Sequence, residues 1–131
     1  MFAAILSPLD RVIAVGQSTK LVGIEVELTV IEIRQAGAIA FWRARPVDDV
    51  VLFDADVRVS DDGGHVYEAT AAGHEGSQLH WSGQSFFAPA PPSGAHLVLE
   101  ILSFGPPIDY EVPRGMSRQH ILGPWRFTVD T

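Results

Sequence analysis

Val51-Leu-Phe-Asp-Ala-Asp-Val-Arg-Val-Ser60, Asp61-Asp-Gly-Gly64 and His65-Val-Tyr-Glu-Ala-Thr-Ala71 form one continuous passage, and its reading decides the fold. Val51, Phe53, Ala55, Val57 and Val59 occupy odd positions, while Asp54, Asp56, Arg58 and Ser60 fill even ones. That period of two belongs to a strand with one face buried. After the Asp/Gly cluster the pattern resumes, with Tyr67, Ala69 and Ala71 apolar on odd positions and Val66, Glu68 and Thr70 between them. The two runs read as a hairpin.

Parity specifies the turn. Cross-strand partners in a regular hairpin have numbers with a constant sum, and putting Val59, Val57 and Ala55 on the face of Tyr67, Ala69 and Ala71 requires the even sum 126. A two-residue Asp62-Gly63 loop gives 125 and sets Val57 against Glu68. The sequence therefore predicts a three-residue loop, Asp62-Gly63-Gly64, built as a type I turn closed by a left-handed glycine, with Asp61 paired to His65.

Outward from this hairpin, the same period recurs. Ile24, Val26, Leu28 and Val30 alternate with Glu25, Glu27 and Thr29, and then the apolar phase slips to Ile31 and Ile33. A slip of one residue in a continuous strand predicts a β-bulge, placed at Val30-Ile31. Gln35-Ala36-Gly37 turns the chain into a run from Ala38 to Arg45, stopped by Pro46. Further runs are Arg11 to Val15, Leu79 to Trp81, Phe86 to Ala88, His96 to Phe104 and Trp125 to Asp130. Apolar residues recur at no sustained helical spacing. Short strands separated by turn signals, with no crossover helix, predict an all-β antiparallel domain spanning residues 1–131, closed as a two-sheet immunoglobulin-like β-sandwich of about 7–9 strands. Trp42, in the third strand, is the expected core indole.

Composition bounds the function. The chain has 131 residues, 9 basic and 16 acidic side chains, a formal charge of −7 and no cysteine. Disulfides, thiolate metal sites and cysteine nucleophiles are excluded. An acidic balance with Lys20 as the one lysine argues against nucleic acid as a partner, because phosphate tracking needs clustered positive charge. No stretch reaches the roughly 18–20 apolar residues of a membrane-spanning helix. Met1-Phe-Ala-Ala-Ile-Leu6 is apolar but lacks a basic n-region and meets Pro8 and Asp10 too early for a signal peptide. The expectation is a cytoplasmic protein if the chain is complete, and an extracytoplasmic one if it is a module of a larger exported protein.

Phe86-Phe-Ala-Pro-Ala-Pro-Pro92, Leu97-Val-Leu-Glu-Ile101 and Gly123-Pro-Trp-Arg-Phe-Thr-Val129 carry a resemblance over the C-terminal third. The strand pattern ending in Trp-x-Phe-x-Val resembles that of Ig-like sandwich domains of uncharacterised bacterial envelope-associated or regulatory proteins. The resemblance implies a binding or spacer module and transfers no catalytic residue.

A search for chemistry yields no reaction. His74-Glu75 and His80 have the wrong spacing for a helical zinc motif and read as a solvated loop. No Gly-x-Ser-x-Gly elbow, P-loop or dinucleotide fingerprint occurs. Asp48, Asp49, Asp54, Asp56, Asp61 and Asp62 are numerous, yet they lack the spacing of a calcium loop. No catalytic residue, metal ligand set or cofactor is expected. The longest stretch without strand pattern, Gly105 to Gly123, holds Tyr110, Arg114, Arg118 and His120, residue types favoured at recognition surfaces, and these are the candidate binding residues. Outward carboxylates at Glu25, Glu27, Glu32, Asp54 and Asp56 would blunt sheet edges. Val50, Leu52, Ile31, Val98 and Leu102 fall on or near the second face of their strands, which points to a protein partner or a homo-oligomer through an apolar sheet face. The reading that follows is a non-catalytic protein-interaction or structural module. The alternative is a small ligand-binding or hydrolytic β-protein, with a site assembled from carboxylates and two or more of His65, His74, His80, His96 and His120.

Overall fold

A computed structural model of the chain describes residues 7–46, 54–77, 80–105 and 121–131. Eight strands are described: β1 (Leu9–Leu21), β2 (Ile24–Arg34), β3 (Gly37–Pro46), β4 (Asp54–Asp61), β5 (Val66–Ser77), β6 (His80–Ala88), β7 (His96–Gly105) and β8 (Ile121–Asp130). Neighbours pair antiparallel in the order β1-β2-β3-β6-β5-β4-β7-β8.

The hairpin register is the one that parity requires. Val59 pairs with Tyr67 and Ser60 with Val66. The Asp61 amide donates to the His65 carbonyl at 3.0 Å and the Gly64 amide to the Asp61 carbonyl at 3.2 Å, while Gly64 has φ +83°. The ladder then ends after two pairs. β5 continues against β6, where Glu68 pairs with Ala88, and β4 runs against β7, where Val57 pairs with Ile101. Ala55 and Ala71 are therefore not partners, and beyond the two pairs each strand keeps only the ladder on its other edge.

The expected immunoglobulin-like division into two face-to-face sheets is correspondingly not drawn cleanly. A single strand order runs through the narrow β4–β5 junction, and its ends approach each other in a nearly closed barrel shape. Gln17 Nε2 donates to the Thr128 carbonyl at 2.8 Å and Thr19 Oγ1 to the Arg126 carbonyl at 3.2 Å, so side chains of β1 reach the backbone of β8.

The phase slip in β2 is present, one residue earlier than predicted. Leu28 pairs with Trp42 and Val30 with Phe41, leaving Thr29 as the extra residue. Ile24, Val26 and Leu28 point inward before it, and Ile31 and Ile33 after it. Ile31 is thus core, and leaves the expected outward apolar face. Thr29 Oγ1 donates to the Phe41 carbonyl at 3.0 Å, a side-chain bond across the irregular step.

Three further expectations change. Of the run Leu79–Trp81, Leu79 lies outside the described residues, while His80 and Trp81 share one strand, β6, with Phe86–Ala88; the His74-Glu75 segment is strand rather than loop. The irregularity between Ala72 and His74 and the glycines at 73 and 76 break the alternation that would have announced β5. The carboxylates of β2 and β4 also do not blunt edges, since both strands are flanked on both sides; Glu27 instead ion-pairs with Arg43 across β2–β3.

The interior is filled from both arcs. β3 contributes the small residues Ala38, Ala40 and Ala44, all fully buried, and this leaves room for large side chains from β7 and β8. Trp42 packs edge-on to Phe104 with centroids 5.6 Å apart, and Phe104 does the same to Trp125 at 5.1 Å. Gly83 lies beneath Trp42: a Cβ there would fall 2.1 Å from Cζ2, so only glycine lets the indole occupy that space. Trp42 Nε1 donates to Ser85 Oγ at 3.2 Å and Trp125 Nε1 to the Ile24 carbonyl at 3.0 Å, so neither buried indole loses its hydrogen bond.

Candidate functional site on the outer face of β2, β3 and β6

With the interior packed, the candidate site lies on the outside. The inward turn of Ala40, Trp42 and Ala44 sends Phe41, Arg43 and Arg45 to the outer face of β3 by period two. Across β3–β6, Phe41 stands opposite Gln84 and Arg43 opposite Ser82. Together with Thr29 at the bulge, these residues line a depression of about 380 Å³, with Trp42 and Gly83 behind them. Phe41 is half-buried and Gln84 and Arg43 are exposed. The site combines an aromatic surface with a guanidinium, a carboxamide and two hydroxyl side chains.

Arg43 also lines a second, smaller depression of about 40 Å³ with Glu25, Glu27 and Arg45, so this residue borders both. Arg43 Nε donates to Glu27 Oε1 at 3.1 Å, and Glu25 stands opposite Arg45 in the ladder. Two acids on β2 thus face two bases on β3. Cross-strand opposite charges of this kind contribute roughly 0.2–1 kcal/mol per pair. Being solvent-exposed, the pair can exchange partners at little cost.

A second polar cluster lies on the rim formed by the β4–β5 turn, the start of β7 and the end of β8. Asp61 accepts from the Tyr67 hydroxyl at 2.8 Å and from the Gly63 and His65 amides at 3.0 Å each. The Tyr67 bond is the main reason that the Asp61 carboxyl titrates below its ordinary range, with the His65 and Gly63 amides adding to it. Burial and the same carboxylate push the Tyr67 phenol up to about 12. His96 Nδ1 contacts the Asp130 carboxylate, which raises the imidazole above its ordinary value. The Asp62 amide donates to the His96 carbonyl at 3.2 Å, tying the turn to β7. These bonds close on one another, and the arrangement reads as a structural clamp.

The candidate binding residues Tyr110, Arg114, Arg118 and His120 lie outside the described residues. Of the five histidines, His120 lies outside the described residues. His65 and His96 stand on the rim with exposed side chains, while His74 and His80 lie in the β5–β6 ladder opposite Gly83 and Ser77. No group of three or more His, Cys, Asp or Glu side chains among the described residues could hold a metal ion, and no described helix could cross a membrane. Sequence reasoning missed Phe41, Arg43 and Gln84. Phe41 carried a signal: a large aromatic on the parity opposite to the core residues Ala40 and Trp42.

No family model matches the chain, and no curated protein does. Among solved structures, the crystal structure of the conserved domain protein from Bacillus anthracis is similar, with a TM-score of 0.66 at 14% identity over 92% of this chain. The chain matches 48% of that protein, about half its length. The likeness is one of fold.

Proposed function

We propose that the chain is a non-catalytic interaction module that engages a protein partner through the outer face of β2, β3 and β6. The observation that carries this reading is the division between inside and outside. Trp42, Phe87, Phe104, Trp125 and Phe127 fill the interior with 0–3% exposure, while Phe41, Arg43 and Gln84 remain accessible around an outer depression. Aromatic and arginine side chains supply much of the energy of protein interfaces. A spacer or binding role is also what the Ig-like resemblance of the C-terminal third implies.

The test is a parallel capture from native extract with wild-type chain, Phe41→Ala and Arg43→Glu. A protein retained by the wild type and lost from both variants, with unchanged circular dichroism and melting, supports the reading. Retention that survives both substitutions overturns it.

A further inference from the structure

β1 joins the barrel through partly buried side chains alone, with Ile13, Val15 and Leu21 packed against the core. None of its 13 residues is fully buried, whereas β8, across the closure, buries Trp125, Phe127 and Val129. Among the described residues, β1 forms a ladder with β2 alone, broken between Leu9 and Arg11 and again between Ala14 and Gln17. The hairpin that joins it to β2 turns on Val22 and Gly23, with φ +45° and +76°. Positive φ at both central positions is the type I′ geometry, which favours Asn and Gly. A β-branched residue there is strained, because its Cβ crowds the following carbonyl oxygen. Val22 also stands 65% exposed and so gains little packing in return.

From these observations we propose that β1 exchanges between two copies of this chain, each β1 pairing with the β2 edge of the other. The occupant follows from the register. The β2 edge is already complementary to β1 from Leu21 opposite Ile24 to Leu9 opposite Arg34, and a second copy's β1 reproduces every one of those pairs. Exchange therefore leaves the ladder unchanged and alters the hinge, where opening the two-residue turn releases Val22 from the left-handed region. Short, strained hinges are the recognised route to swapped dimers. The proposal is independent of the outer depression, since β1 contributes no residue to it.

The cysteine-free chain gives a direct test. Ser18 and Glu27 are ladder partners, so Ser18→Cys and Glu27→Cys chains, each alone, are mixed, unfolded and refolded together. A disulfide joining the two variants, confined to a dimer peak in size-exclusion chromatography with light scattering, is the expected result. Val22→Asn, which suits the left-handed turn, should lower the wild-type dimer fraction by on the order of tenfold per hinge. A chain that refolds as monomer alone at millimolar concentration, a dimer whose mixed cysteines do not link, or a dimer fraction indifferent to Val22→Asn would each overturn the proposal.

Discussion

The barrel thins at two places, and they are held by different means. Between β4 and β5 the ladder shrinks to two residue pairs, but a turn closes it and Asp61 gathers three hydrogen bonds from residues two to six positions away. Between β1 and β8 two hydrogen bonds run from Gln17 and Thr19 to backbone carbonyls 111 and 107 positions distant. Behind that second junction stands Trp125, whose indole reaches past β1 to the Ile24 carbonyl of β2. The first junction is a local device, and the second depends on the core behind it. Closing a long loop costs entropy that only burial of large apolar groups repays, which is why an indole lies there.

The largest expected effect breaks the distant junction. Trp125→Ala should destabilise the fold by about 3–5 kcal/mol in chemical denaturation, through the lost ring and the cavity left behind. A loss below about 1 kcal/mol would mean that the β1–β8 junction is not supported from within. Gly64→Ala probes the local junction next. Nothing lies within 4 Å of a Cβ at Gly64, so the cost is the φ of +83° alone, about 1–2 kcal/mol. Removing the surface bonds of the distant junction with Gln17→Ala and Thr19→Val should cost only about 0.5–1 kcal/mol each. If that pair matched Trp125→Ala, the surface bonds would be the true closure and the contrast would fail.

The smallest effect at neutral pH comes from the Asp61–Tyr67 pair and emerges at the extremes. Tyr67 should titrate at about 12 when followed by phenolate absorbance. Its folded-state value lies above the unfolded one of about 10. The folded state therefore favours the neutral phenol, and that stability is complete below the unfolded value and lost as pH rises through the folded one. Asp61 has the opposite sign: its folded value is depressed, so its contribution is present above the ordinary carboxylate range and lost as pH falls through the folded value. Tyr67→Phe should remove the alkaline loss of stability, measured by melting between pH 9 and 12.

Much of the fold was legible along the chain. The sum of 126, the left-handed glycine at 64 and the three-residue loop all follow from alternation around one turn, and the phase slip in β2 announced its bulge within one residue. Trp42 was legible as core from its place in the third strand and from the burial that large aromatic side chains favour. The end of the β4–β5 ladder was not, because it depends on which second neighbour each strand finds. Nor was the strand character of His74-Glu75, because Gly73 and Gly76 interrupt the period that reveals a strand. The outer site was half legible: Phe41 breaks the polar parity of its strand, whereas Ser82 and Gln84 join it only through the β3–β6 pairing.

By itself the sequence determined the all-β antiparallel class, the hairpin register and the faces on which most strand side chains lie, because these depend on dihedral preferences and parity over a few residues. It also determined what chemistry is absent, since a chain without cysteine has no thiol to offer. Tertiary structure alone decided the strand order, the approach of β1 to β8, and the meeting of Thr29, Phe41, Arg43, Ser82 and Gln84 around one depression. Those outcomes rest on contacts between residues far apart in the chain, where packing of large side chains against small ones selects among pairings that alternation leaves equal.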